Sequence, residues 1–177
     1  MTAGENQHTV TAVDVQAALL LALRPDGAYT DDDMLRSMKL LYYAQGINFA
    51  LCGSLLFADR SFTKARHGPK IDGLNVRQHV GKENSALSAF CTDVVQQFSA
   101  FTTDEIVRMT HEEYPYKTTT NVDDVIDNSL LEHYFQNFDA NLMSICKARY
   151  DNSKKNATED LAALLNSIFP SAVTDDT

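Results

Sequence analysis

Apolar residues recur at steps of three and four along most of this chain, which is the period of an amphipathic helix. The longest such run begins after Asp31–Asp33, whose carboxylates favour the positive end of a helix dipole. It continues from Met34 to Phe49, and Gly53 is placed to end it. This pattern predicts one long helix in the first third of the chain.

Other start and stop signals predict further helices on both sides of this one. Thr11 and Asp14 resemble a capping box, and a helix from there ends at Leu23, before Pro25 and Gly27. Later segments predict a short helix over residues 71–80, helices beginning at Ser85, Thr102 and Thr158, and one bent helix or two successive helices from Asn121 to Cys146. Between them, Tyr114–Tyr116 is predicted to be a loop.

Residues 55–65 give a mixed signal, since a short apolar stretch is interrupted by polar residues. A small β-hairpin and an irregular loop are both compatible with it. Strand-type alternation is too scarce elsewhere to build a larger sheet. We therefore predict a mainly α fold, a single-domain bundle of about six to eight helices with at most one small hairpin near residues 55–65.

The ends of the chain lack the periodic pattern of its middle. Residues 1–10 are polar and are predicted to be disordered, and residues 171–177 form a flexible acidic tail. The intervening residues 11–170 are predicted to form one helical domain, because a chain of 177 residues can bury a single core without disulfides or metals.

Charge adds a second kind of information, because it is unevenly distributed. The formal net charge of -9 argues against a general nucleic-acid binder, since phosphate binding depends on cationic side chains. Residues 60–82 nevertheless contain six basic residues and one acidic residue. This stretch could bind an acidic partner, steer association or contact RNA phosphates, or it could pair with the surplus acids elsewhere in the chain. We weigh binding and intramolecular pairing equally.

The cysteines and the N-terminal region point to a cytoplasmic location. Cys52, Cys91 and Cys146 are far apart and odd in number, which fits a reducing compartment better than a disulfide framework. The run from Val15 to Leu23 is too short for a bilayer span, and no positive region precedes it. We expect no membrane association.

Candidate catalytic motifs are incomplete. His111-Glu112 begins like a zinc protease motif, but the second histidine is missing and Pro115 interrupts the helix. The five histidines are dispersed, and no glycine-rich phosphate loop is present, so we expect no metal and no cofactor. An enzyme using His111 with Glu112 or Glu113 stays open as a minor alternative.

Three sequence pieces nevertheless occur in an order typical of one family. Lys39–Gln45 reads Lys-Leu-Leu-Tyr-Tyr-Ala-Gln, Phe62–Pro69 ends in Gly-Pro, and Thr110–Tyr116 reads Thr-His-Glu-Glu-Tyr-Pro-Tyr. Together with the turn Ser54–Phe57, these pieces resemble the Panacea antitoxin domain of bacterial and phage toxin–antitoxin pairs. The resemblance covers roughly Val13 to Phe135.

The resemblance implies a function that requires no catalytic residue. It implies an antitoxin that neutralises a toxin encoded beside it by direct protein contact. Members of the wider group act instead as adaptors that deliver the toxin to a Clp-type protease, and the acidic tail from Ser171 is a candidate protease-facing element in that alternative.

A partner-binding patch can be proposed from the same pieces. Tyr43 is predicted to be exposed, and exposed aromatic residues are frequent in binding hot spots. We expect Tyr43, Arg66, His67, Lys70 and His111 to lie near one surface and to bind the partner protein.

Overall fold

The computed structural model describes residues 9–74, 76 and 84–136, and these residues are mainly helical, as predicted. The chain divides into two units, Met1–Gln136 and Asn137–Thr177, and all the described residues belong to the first. Its helices are α1 (Ala12–Leu23), α2 (Asp31–Cys52), α3 (Ser85–Gln97), α4 (Thr103–Glu112), α5 (Tyr114–Thr118) and α6 (Asn128–Phe135). The domain boundary near residue 170 stays a prediction.

Three of these helices begin with reciprocal capping boxes. The predicted pair Thr11/Asp14 caps α1, and Thr102, where a helix was predicted to begin, caps α4 together with Glu105. At α2 the N-cap is Thr30, and Asp33 returns a bond to the Thr30 backbone. Asp33 of the acidic run therefore occupies the third helical position of the capping box. The N-cap residue, Thr30, lies one residue before the acidic run.

Helix α2 is the centre of the first unit, with contacts to α1, α3, α4 and α6. Its residues from Lys39 to Ile47 are all buried, which is typical of a helix surrounded by other elements. Gly46 lies against the Phe135 ring of α6, and a Cβ at this position would overlap that ring. The absence of a side chain at Gly46 thus sets how closely α6 approaches α2.

Of the two alternatives for residues 55–65, the structure shows the irregular loop and not the hairpin. Within the described residues the only β-type pairing consists of isolated bridges, in which Thr63 pairs with Lys70 and with Val125. The side-chain amide of Gln45 replaces a partner strand: its Oε1 accepts from the Leu56 N–H at 2.8 Å, and its Nε2 donates to the Phe57 carbonyl at 2.8 Å. A buried side chain from α2 therefore satisfies the loop backbone.

The prediction of a loop at Tyr114–Tyr116 was wrong, because this segment is the short helix α5. Pro115 lies in its first turn, where the missing N–H has no helical acceptor and costs nothing. Proline here opens a new helix after α4 has ended at Glu112.

The helix predicted from Asn121 begins later than expected. Residues 121–126 pair with the loop around Thr63, through bonds such as Ile126 N–H to the Phe62 carbonyl at 2.8 Å. Asp127 then caps α6. The predicted helix beginning at Thr158 and the continuation to Cys146 lie outside the described residues, as do residues 75 and 77–80 of the predicted segment 71–80. Residues 71–74 of that segment are not helical, so the predicted start of this helix was wrong.

Candidate functional site

The residues that carry chemistry gather where α2 meets the Gly68-Pro69 corner. Lys39 is 1% exposed, and its ammonium donates to the Pro69 carbonyl at 2.6 Å. In the described part of the chain no carboxylate pairs with it. One backbone carbonyl thus partly offsets the cost of burying this cation.

Burial, and to a lesser extent the nearby charge of Lys70, lowers the pKa of Lys39 to about 7. Desolvation disfavours the charged ammonium, and a second cation adds to that effect. Near neutral pH the ammonium and the amine are therefore of similar free energy inside the fold.

Gly68 fits between Lys39 and α4 because it has no side chain. Its backbone has φ +89, and a Cβ would overlap the Thr110 hydroxyl and contact the Lys39 ammonium. Both the left-handed backbone and the close approach require glycine. The corner is consequently held between α2 on one side and α4 on the other.

Just before this corner the chain makes a hydrogen-bonded turn. The Gly68 N–H donates to the Ala65 carbonyl at 3.0 Å, which places Arg66 and His67 at the exposed tip. We call residues 65–68 the cationic turn. The Tyr116 hydroxyl of α5 also donates to the Ala65 carbonyl, at 2.7 Å, so the base of the turn is anchored to α5.

His111, near the C-terminal end of α4, lies beside this turn. Its ring is 4.7 Å from the Tyr116 ring, centroid to centroid, and it is hydrogen-bonded to the Arg66 backbone. Burial lowers the pKa of His111, the positive charge of Lys39 lowers it further, and the bond to Arg66 opposes both. The structure therefore places Arg66, His67 and His111 close together, and partner binding by these residues stays a prediction.

Tyr43 is not part of that surface, and the prediction that it is exposed was wrong. Its side chain is 0% exposed and packs on the Phe98 ring at a centroid distance of 4.5 Å. The Tyr43 hydroxyl donates to Glu113 Oε1 at 2.5 Å, and burial raises the pKa of Tyr43 well above 10 with the Glu113 charge adding to it. Because α2 contacts α1, α3, α4 and α6, its residues from Lys39 to Ile47 are buried and expose no side chain to a partner.

Lys70 differs from the other predicted site residues because its charge is already engaged. Its ammonium pairs with Asp72 at 2.9 Å and with Asp123 at 3.7 Å. It ties the loop to the segment 121–126. Thus the intramolecular interpretation of the basic stretch applies to Lys70.

Sequence reasoning did not single out Lys39, Thr110 or Glu113 as structural contacts of the site. A signal for Lys39 was available, because a lysine in the middle of the long apolar run is an unusual buried position. No pattern in the sequence distinguishes Glu113, which is 1% exposed, from Glu112, which is exposed.

The carboxylates next to His111 also bind other side chains, and the charge of Glu112 acts to raise the pKa of His111. Glu112 forms an ion pair with Lys117 at 2.6 Å, and Glu113 accepts from Tyr43. Among the described residues, no three or more potential metal ligands are placed to hold an ion. No described helix is both long enough and apolar enough to cross a membrane.

Comparison with protein-family models, with curated proteins and with solved structures finds no match to this chain. The resemblance to the Panacea domain therefore rests on sequence motifs. Those motifs lie in contact in the fold: Lys39 bonds to Pro69, Gly68 abuts Thr110, and Tyr43 bonds to Glu113.

Replacing Tyr43 with Phe tests the corrected position of this side chain. We expect a loss of about 1–3 kcal/mol in the free energy of unfolding, because the buried Glu113 carboxylate loses a donor. The control is Tyr114→Phe, whose side chain is 50% exposed and which should change stability by less than about 0.5 kcal/mol. Urea denaturation of both variants measures the difference, and equal effects would contradict the burial of Tyr43.

Gly68→Ala and Gly73→Ala form a matched pair, because both glycines have positive φ and only Gly68 lacks room for a Cβ. We expect Gly73→Ala to cost about 1–2 kcal/mol from backbone strain. Gly68→Ala should cost about 1–3 kcal/mol more, because the loop must also move away from Thr110. Denaturation midpoints compare the two variants, and similar values would argue against close packing at the corner.

Lys39→Met tests the cost of burying the ammonium. The unfolded chain binds the Lys39 proton more tightly than the folded protein, so the penalty is complete below pH 7 and disappears as pH rises toward 10.5. The stability of the wild type relative to Lys39→Met should therefore rise with pH above 7, by at most about 1.4 kcal/mol per pH unit. Unfolding curves between about pH 6 and 9.5 measure this difference, with Lys117→Met as the control for losing one positive charge. A difference that does not change with pH would show that Lys39 keeps its ordinary pKa.

Proposed function

We propose that this protein is an antitoxin that neutralises a toxin encoded beside it by direct protein–protein contact. One observation carries the proposal: the sequence pieces that resemble the Panacea domain pack against one another around Lys39 and the Gly68-Pro69 corner. Lys39 and Thr110 are about seventy residues apart in the sequence, and both contact the Gly68-Pro69 corner, as expected if the pieces belong to one domain.

The chemistry of the site favours binding over catalysis. Two buried polar groups hold the fold: Lys39 bonds to the corner and Glu113 to Tyr43. The exposed groups at the same place, Arg66 and His67, form the tip of a turn, and His111 lies beside them. Such a surface can recognise another protein without transforming it.

The recognition surface proposed here keeps Arg66, His67 and His111 and omits Tyr43. Lys70 borders it, with its charge shared between Asp72 and Asp123. Tyr114 of α5, at 50% exposed, is the aromatic residue that replaces Tyr43 as a candidate contact. Exposed tyrosine and arginine are the residue types that most often dominate binding energy.

Delivery of the toxin to a Clp-type protease is the second candidate mechanism. It is supported by the acidic composition of residues 171–177, which lie outside the described residues. The two mechanisms differ in the fate of the toxin, because blocking leaves its half-life unchanged and delivery shortens it.

Co-expression with the neighbouring reading frame tests the proposal. Induction of that product alone should arrest growth, and this protein should restore it, with Gly68→Ala as a variant of weakened fold and Arg108→Glu as a surface control. Toxin half-life, measured with and without residues 171–177, separates blocking from delivery. Failure of the wild type to restore growth would overturn the antitoxin proposal.

The same components separate binding from catalysis in vitro. A blocking antitoxin must be present in at least equimolar amount, because each molecule occupies one toxin. Inhibition of the purified toxin at a small fraction of its concentration would instead favour the enzyme using His111 with Glu112 or Glu113.

A further inference from the structure

We propose that the cationic turn, residues 65–68, binds an acidic segment of the partner protein, with Arg66 and His67 pairing with its carboxylates. This inference rests on the proposed function and names the chemistry of the partner at the same surface. Carboxylates are the natural ligands of a guanidinium, which can bind them through two parallel hydrogen bonds.

The turn is rigid before any partner arrives. Gly68 N–H closes it on the Ala65 carbonyl, and the Tyr116 hydroxyl donates to that same carbonyl. On one flank the Lys64 ammonium donates to the Thr119 carbonyl at 2.6 Å, and on the other Lys39 donates to Pro69. A partner therefore pays little ordering entropy in the backbone that presents Arg66 and His67.

The charges at the tip are available for a partner. Arg66 and His67 are exposed, and within the described residues neither forms an ion pair. The acids on the neighbouring segments pair with other lysines, Glu112 with Lys117 and Asp123 with Lys70. The positive tip is consequently not neutralised by its surroundings.

The buried Lys39 ammonium adds to the positive potential at the cationic turn. Its ammonium lies next to Gly68, beneath the turn, and its own bond is to a neutral carbonyl. An incoming carboxylate would favour the charged form of Lys39, since opposite charges attract more strongly where water is excluded. The buried lysine thus adds to the attraction without contacting the partner.

The remainder of the chain makes the turn selective. With a formal net charge of -9, the protein repels an acidic partner over most of its surface, so the cationic turn orients the encounter. The same net charge disfavours a long nucleic acid, whose phosphates would extend beyond the turn onto acidic surface. A short acidic protein segment therefore fits the charge distribution better than a polynucleotide does.

The test compares Arg66→Glu/His67→Glu with Arg108→Glu, which reverses an exposed arginine on α4 that is not part of the turn. The probe is the purified product of the neighbouring reading frame, and calorimetry measures its affinity. We expect the double variant to raise Kd by about tenfold or more and Arg108→Glu to change Kd by less than about threefold. Melting temperatures establish that all the proteins are folded, and Arg66→Gln/His67→Gln serves as the milder pair if charge reversal perturbs the turn.

The outcomes separate this inference from the proposed function. Unchanged affinity in both double variants, the Glu pair and the Gln pair, would contradict the proposed binding role of the cationic turn. It would leave the antitoxin proposal intact. Absence of binding and of growth rescue by the wild type would overturn both. Lysine substitutions in an acidic segment of the partner that restore affinity to Arg66→Glu/His67→Glu would support the inference, and displacement of the wild-type partner by a mixed-sequence oligonucleotide would count against it.

Discussion

The hydrogen bond from the buried Lys39 ammonium to the Pro69 carbonyl is the interaction on which the candidate site depends. It ties the central helix to a loop thirty residues further along the chain. Gly68 lets that loop approach closely enough for the bond to form, because a side chain there would meet Thr110. The cationic turn keeps its position because the corner after it is held in this way.

Buried polar groups serve a similar purpose elsewhere in the first unit. Gln45 bonds to the backbone of Leu56 and Phe57, and Tyr43 bonds to Glu113. Each of these contacts joins α2 to a segment that has no strand or long helix of its own. Because an unpaired polar group is costly in a core, such contacts favour one arrangement of the loops over its alternatives. We take this as a hypothesis about specificity for this chain, and the Tyr43 and Tyr114 variants test one part of it.

Burial and exposure divide the described residues of the candidate site between two roles. The motif residues of the Panacea resemblance lie mostly inside, where they fix the loop and the corner. The exposed tip of the cationic turn carries the charges that a partner would contact. If the proposed function is correct, substitutions at the tip alter partner choice while the buried contacts maintain the fold.

The sequence by itself determined α1 to α4 and the capping box of α1, because capping boxes and apolar periodicity act over a few residues. The sequence pieces also led to the prediction that Arg66, His67 and His111 lie near one surface. Only the tertiary structure decided that Tyr43 is buried, since both faces of α2 are covered by helices distant in sequence. It likewise decided that α6 begins after residues 121–126 and that Glu113, unlike Glu112, is buried. Local patterns cannot settle such choices, because burial of a side chain depends on which remote segment packs against it.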